Sequence, residues 1–156
     1  MKVYEAVLDQ LLGAGVTHFA GMVGSTSAPY ASALAAQNKA RYVGIRHEQV
    51  AAAILDATAR LNGQPGCLMV HGGSGLLAAS LGIGSAALDG TPMVVLSATQ
   101  ERKAMENGWW QTLDVQKPVA DFVKFQTRVE RPDQAVAAVR NALRESVSGK
   151  PGVAQI

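Results

Sequence analysis

Glu48, in the run Arg46-His47-Glu48-Gln49, is the titratable residue whose setting in the chain points most directly to chemistry. The apolar, β-branched run from Tyr42 to Ile45 reads as a buried strand, and it breaks at once into an Ala-rich helical pattern from His47 to Leu61. Glu48 therefore belongs in a first helical turn, where the helix macrodipole alone would favour a carboxylate by ~0.3–1 kcal/mol. Its neighbours argue for more than that. Glu48, Ala52, Leu55 and Ala59 recur at helical spacing, Val50, Ile54, Ala57 and Leu61 form a second apolar row, and only Gln49, Asp56 and Arg60 form a polar one. Such a helix is expected to be buried on more than one side. A carboxylate heading a dry row is then either paired or functional.

Two further stretches carry reactive or permissive residues. Gly72-Gly73-Ser74-Gly75 follows an apolar strand pattern and opens a small-residue helix over 76–88, so its backbone N–H groups could cradle a phosphate, lie against a flat ligand, or simply pack tightly. Neither a G-x-x-x-x-G-K-[ST] loop nor a G-x-G-x-x-G turn followed by a distant acid is present, which removes the common nucleotide signatures. His71 at the strand end could serve as an acid–base group or as a hydrogen-bonded structural imidazole, and His47 poses the same choice. Cys67 is the single cysteine and lies within an apolar run, so it reads as a core residue. Trp109-Trp110 suit a pocket or an interface better than a core.

The elements that must position these residues alternate. A helix over 2–13 precedes a strand at 16–20, a small-residue loop from Gly21 to Ser27, and a helix starting near Ala28-Pro29. Strand 41–45 leads into helix 47–61, strand 67–71 into helix 76–88, and a strand over 93–97 into an irregular segment, 99–118. Alternation over 122–129 predicts a further strand. Pro132 starts a helix with Val136, Val139, Leu143 and Val147 inward, and a last strand spans 153–156. Apolar strands separated by helices indicate an α/β fold, a doubly wound parallel sheet with helices on both faces. Ligands on such sheets bind beyond the carboxyl ends of the strands, where the Gly24–Ser27 loop, Glu48 and the Gly73–Gly75 turn all fall.

The composition narrows the classes. Apolar residues make up 48% and charged residues 17%, a low charged share that points to burial against another chain or domain. The net charge of +2 is scattered, without the basic runs of a nucleic-acid surface, and no stretch is long enough to cross a bilayer. A cytoplasmic protein is the default expectation. The chain reads as one domain over 1–156, ending directly after a strand, as a domain of a longer protein or a subunit that needs another would.

Arg46-His47-Glu48-Gln49, the Ala-rich helix, Gly63-Gln64-Pro65-Gly66, an apolar strand and Gly73-Ser74-Gly75 together resemble the pyrimidine-binding domain of thiamine-diphosphate-dependent enzymes, most closely the acetolactate-synthase-like group. Asp89-Gly90-Thr91-Pro92-Met93, Trp110-Gln111-Thr112-Leu113-Asp114 and Gly149-Lys150-Pro151-Gly152 extend the resemblance over essentially the whole chain. Ser74 stands where the family has Pro, and Met22-Val23-Gly24-Ser25 where V-P-G-G is commoner.

The resemblance implies that Glu48 hydrogen-bonds N1′ of the cofactor's aminopyrimidine and so favours the imino tautomer that deprotonates C2 of the thiazolium. It also implies that Val23, Gly24, Gly73, Ser74, Gly75 and Gln111 bind the cofactor, with Ser25 and His71 on the substrate side. Mg²⁺ and the diphosphate would be held by a partner domain, since the family's G-D-G…N-N element is absent. The expected reaction cleaves or forms the C–C bond next to the carbonyl of a small 2-oxo acid. Alternatives are an α subunit of a two-chain decarboxylase of the sulfopyruvate or phosphonopyruvate type and a non-catalytic α/β interaction module. Oligomerisation is expected through helices 47–61 and 76–88.

Overall fold

The computed structural model describes residues 1–156 as one parallel sheet of six strands with helices on both faces. The strands are β1 (His18–Gly21), β2 (Arg41–Gly44), β3 (Gly66–His71), β4 (Met93–Ala98), β5 (Phe125–Gln126) and β6 (Val153–Gln155), in the spatial order β2-β1-β3-β4-β6-β5. The helices are α1 (Val3–Gly13), α2 (Ala28–Ala35), α3 (Glu48–Asn62), α4 (Gly72–Leu88), α5 (Arg102–Glu106) and α6 (Ala135–Val147). The α/β, doubly wound expectation therefore holds.

Two cores sandwich the sheet. One packs α3, α4 and the Val115–Val119 segment through Ala52, Leu55, Leu76 and Ile83 onto Leu68, Val70 and Val95. The other packs α1, α2 and α6 through Leu11, Leu34 and Val139 onto Phe19, Met69 and Val94. Strands β3 and β4 alternate their side chains between these cores and are buried along almost their whole length, which is why they read as unbroken apolar runs. The chain crosses on one face from β1 to β2 and on the other from β2 to β3, so the winding reverses between β1 and β3. That reversal opens a crevice at their carboxyl ends.

Several expectations need correction. β2 is an edge strand rather than a buried one: Arg41 and Gly44 are exposed and Tyr42 and Val43 only half-buried. The row Glu48, Ala52, Leu55, Ala59 is buried as expected, but Val50 and Leu61 on the second row are 51% and 89% exposed, so within the chain α3 is covered on one side only. The glycine turn is not a loop before a helix but the first turn of α4 itself, directly following His71. Of the strand expected over 122–129, only Phe125 and Gln126 pair, because β6 is the sole neighbour there and is itself three residues long. Helix α6 begins after a 3₁₀ turn at Pro132–Gln134 and faces inward with Ala135, Ala138, Val139, Ala142 and Ser146, leaving Val147 49% exposed. Its alanines let it approach the sheet closely.

The irregular segment is tied down by one buried amide. The Gln155 Nε2 donates to Ser97 Oγ and to the Val115 carbonyl, both at 2.9 Å, while its Oε1 accepts from Gln126 Nε2 at 2.7 Å. This joins β4, β5, β6 and the segment that returns from the site.

Candidate functional site

Glu48 is the first residue of α3 and is 5% exposed. The preceding His47 is extended and caps the helix, its Nδ1 accepting from the Gln49 amide at 3.3 Å. The ion pairs of the chain lie elsewhere, and no intrachain hydrogen bond engages the Glu48 carboxylate. A buried carboxylate left this way keeps its acceptor capacity for something else. Its Oε1 faces the first turn of α4: a Cβ on Gly75 would stand 3.0 Å from it.

The other side of that turn is closed by the segment after α5. A Cβ on Gly73 would lie 2.4 Å from Leu113 Cβ, so only glycine admits this approach. Gly72 has φ +52°, and Gln111 has φ +60°, a left-handed conformation uncommon for a residue with a side chain. Gln111 Nε2 donates to Ser74 Oγ at 2.9 Å, whereas its Oε1 is buried without a donor. A strained backbone that aims a half-satisfied amide at a glycine-lined turn is a common signature of a ligand site.

His71 ends β3 at the crevice between β1 and β3. A Cβ on Gly24 would meet its Cγ at 2.6 Å, so the loop after β1 lies directly against the ring. Thr26 Oγ1 is 2.7 Å from His71 Nδ1, and the indole of Trp110 lies beyond, with ring centroids 6.3 Å apart. The loop is held by Ser27, whose Oγ accepts from the Gly24 amide at 2.9 Å.

Of the residues singled out from sequence, Glu48, Gly73, Ser74, Gly75 and Gln111 gather around the start of α4, with Gly24 and His71 in the adjoining crevice. Val23 is 52% exposed and Ser25 is also exposed, both on the loop rim. Trp109 and Trp110 are exposed, at 66% and 69%. Cys67 is fully buried in β3, where burial pushes its thiol pKa far up, so it is a core residue and no nucleophile. Thr26 and Ser27 were not singled out. Nothing local marks Thr26, because its contact with His71 spans 45 residues of sequence, whereas Ser27 bonds within its own loop, three residues from Gly24.

A cavity of about 450 Å³ lies between α1, α2 and α6 and reaches Ser25, Thr26, Tyr30, Leu96 and Ile156 but neither Glu48 nor His71. No group of three or more His, Cys, Asp or Glu side chains is placed to hold a metal ion, and no helix is long and apolar enough to cross a membrane.

The model of the thiamine pyrophosphate enzyme N-terminal TPP-binding domain matches residues 1–118. The chain belongs to this family. The match stops before β5, α6 and β6, although these strands complete the same sheet. Among relatives, the oxalyl-CoA decarboxylase of Escherichia coli (strain K12) is 32% identical over 114 residues, 72% of this chain and 20% of that protein. The acetolactate synthase of Bacillus subtilis (strain 168) is 32% identical over 151 residues, 96% of this chain and 26% of that protein. Mouse (Mus musculus) 2-hydroxyacyl-CoA lyase 1 is 31% identical over 125 residues, 80% of this chain and 22% of that protein. The chain thus spans about a fifth to a quarter of the length of these relatives. The thiamine diphosphate-dependent 4-hydroxybenzoylformate decarboxylase of Rhodococcus jostii RHA1 shares the fold, with a TM-score of 0.92 at 20% identity over 99% of this chain and 29% of that one. The resemblance read from Arg46–Gln49 and the glycine turns is borne out at the level of family and fold.

Proposed function

We propose that this chain is the pyrimidine-binding part of an enzyme that cleaves or forms the C–C bond beside a carbonyl, acting on a small 2-oxo acid or a compound like it. The observation that carries the reading is the Glu48 carboxylate, buried without an intrachain partner at the start of α3 and facing Gly75. A degenerate interaction module would have no reason to keep an unpaired carboxylate in a dry row, where it costs stability. The relatives' names support the reaction class, since a decarboxylase, a synthase of acetolactate and an acyl-CoA lyase all work on such bonds.

The residues fit an aminopyrimidine. Glu48 offers a carboxylate oxygen to hold or share a proton at a ring nitrogen, and Gln111, which donates to Ser74 Oγ, lines the same turn. Gly75 leaves room beside the Glu48 carboxylate and Gly73 admits Leu113 against the same turn, while Val23, Gly24, Gly73, Gly75 and Ser74 are the cofactor-side residues of this reading. Thiamine diphosphate, when bound, supplies the electron sink that the reaction requires. This chain contributes orientation, a carboxylate on a residue only 5% exposed, and His71 and Ser25 on the substrate side.

Mg²⁺ and the diphosphate belong, in this reading, to a partner domain or subunit. Support comes from the outward stripes of α3 and α4, where Val50, Leu61, Leu77, Leu81 and Leu88 are all more than half exposed on adjoining helices. Sedimentation of the chain as a soluble monomer at tens of micromolar would count against that surface.

The deciding experiment exchanges Glu48 in the complete enzyme. Glu48→Gln keeps size and fold but removes the charged acceptor, so turnover should fall by ~10²–10⁴-fold while cofactor affinity falls less. Glu48→Asp should be intermediate, because it withdraws the carboxylate by one methylene. Exchange of the bound cofactor's C2 proton, followed by NMR after acid quench, gives a readout separate from turnover. Equal exchange rates in wild type and Glu48→Gln would sink the assignment.

A further inference from the structure

Gln111 keeps φ +60°, and a residue with a side chain stays in the left-handed region only where its surroundings over-determine it. On its N-terminal side the restraint is local. The Thr112 amide donates to the Trp109 carbonyl at 3.2 Å and the Thr112 hydroxyl to the same oxygen at 2.7 Å, which closes a turn with Gln111 at its third position, where a positive φ belongs. On its C-terminal side the restraint comes from farther along the chain. Arg128 Nη2 donates to Asp114 Oδ1 at 2.9 Å, and the same oxygen accepts from the Gln116 amide at 3.3 Å. Lys117 stands farther off, with Nζ 3.8 Å from Asp114 Oδ2 and its side chain 85% exposed.

Arg128 is itself well held. Two residues before it, Gln126 pairs with Gln155 in β6, and the Thr127 amide donates to the Gln155 carbonyl at 3.1 Å, so the backbone that carries the guanidinium is fixed to the sheet. Asp114 in turn adjoins the site, because Leu113 packs on Gly73 and Gln111 bonds to Ser74. The carbonyls of Val115 and Gln116 are also tied to the sheet side, through Gln155 and Gln126, but these ties begin one residue farther from Leu113. They secure the fold of the segment and leave the Arg128 contact to set its last step toward α4.

We propose that Arg128 is a positioning residue: acting through Asp114, it fixes the stretch from Trp110 to Leu113 against the first turn of α4. The consequence for cofactor binding rests on the reading of that turn in the proposed function. The placement of the stretch does not, because both ends of the clamp lie within this chain.

The chain's two indoles, Trp109 and Trp110, directly precede Gln111 and give a readout without cofactor. In ¹H–¹⁵N spectra of the full 156-residue chain, Arg128→Gln and Asp114→Asn should move the indole N–H resonances in the same direction, and the double variant should move them no farther than either single one. Asp114→Asn keeps an oxygen for the Gln116 amide, so it removes the charge and spares the turn. Arg128→Lys should restore part of the wild-type position, as a charged donor that lacks the planar fork. Indole resonances left in place by either substitution, or displacements that add in the double variant, overturn the proposal.

In the complete enzyme each single variant should raise the KM for thiamine diphosphate by roughly 2- to 5-fold, and the double variant by the same factor, since an exposed ion pair shifts an equilibrium by no more than about that much. Tm should change by less than ~4 °C, which separates misplacement from unfolding. If the indoles respond as stated while KM does not change, the placement of the cofactor at this turn fails and the clamp stands.

Discussion

Two glycines on one helix should answer the same substitution in opposite ways. At Gly75 a Cβ would lie 3.5 Å from Val70 Cβ, an ordinary contact, and 3.0 Å from Glu48 Oε1, the far end of a side chain that can swing. Alanine in a helix is favoured over glycine by up to ~1 kcal/mol, less in a first turn, and displacing the carboxylate from its rotamer costs ~0.5–1.5 kcal/mol. These terms nearly cancel, so Gly75→Ala should change stability by less than ~1 kcal/mol and Tm by less than ~4 °C. Activity should not be spared. A shift of ~1 Å at a catalytic group can cost ~10²-fold, so a few tenths of an ångström should lower turnover by roughly 3- to 10-fold. At Gly82 the added Cβ would stand 2.6 Å from Ala52 Cβ and 3.1 Å from the Gln49 carbonyl, both attached to helix backbone that cannot swing aside. Overpacking there should cost ~1–3 kcal/mol, or roughly 3–10 °C, with any loss of rate following the loss of fold. Differential scanning calorimetry and steady-state kinetics on both variants settle the comparison. Equal losses of Tm, with full turnover in Gly75→Ala, would refute the claim that this turn sets the carboxylate.

Other outcomes follow from single contacts. Gln155→Met should destabilise the chain by ~1–3 kcal/mol in denaturant titration, since it strands the buried acceptors and donors of Val115, Ser97 and Gln126. Gln111→Gly should leave stability equal or higher by relieving φ +60°, yet weaken cofactor binding in the complete enzyme, as measured by titration calorimetry. Cys67 should resist thiol reagents at pH 8 in the native state and react at the rate of unfolding; because burial raises its folded pKa, its contribution to stability is intact below ~8.5 and declines as pH rises beyond it. The isolated chain should bind thiamine diphosphate weakly by the same calorimetry, since pyrimidine contacts alone must offset the ordering cost. Tight Mg²⁺-dependent binding would show that the diphosphate site lies within this chain.

What was legible in sequence was what short-range pattern encodes. The buried row of Glu48, Ala52, Leu55 and Ala59 has helical period, the apolar β3 and β4 have strand length, and the glycine turns punctuate them. What was not legible depends on partners distant in the chain. Periodicity showed that α3 is apolar on two rows but not that one row, with Val50 and Leu61, faces outward, because hydrophobicity does not say whether the covering surface is intrachain. β2 read as buried since Tyr42 and Val43 are apolar, though its place at the sheet edge is set by the order of strands. The pairing of Thr26 with His71 needed the loop after β1 and the end of β3 to meet at the winding reversal. Gln111 was placed near the cofactor by resemblance, while its left-handed φ and its unpaired Oε1 emerge only from three dimensions.

The passage from β3 to α4 uses no connecting residue at all, since His71 is the last of the strand and Gly72 the first of the helix. A junction of this kind has no slack. Inserting or deleting one residue would rotate every side chain of α4 by about 100° against the sheet, so this part of the site can change by substitution but not by length. Variation in what the crevice accepts must then come from its two flexible-length borders, the Met22–Ser27 loop and the segment from Thr99 to Gln116. Grafts that aim to alter selectivity belong in those borders, and libraries that vary loop length at Gly72–Gly75 should return mostly unfolded chains.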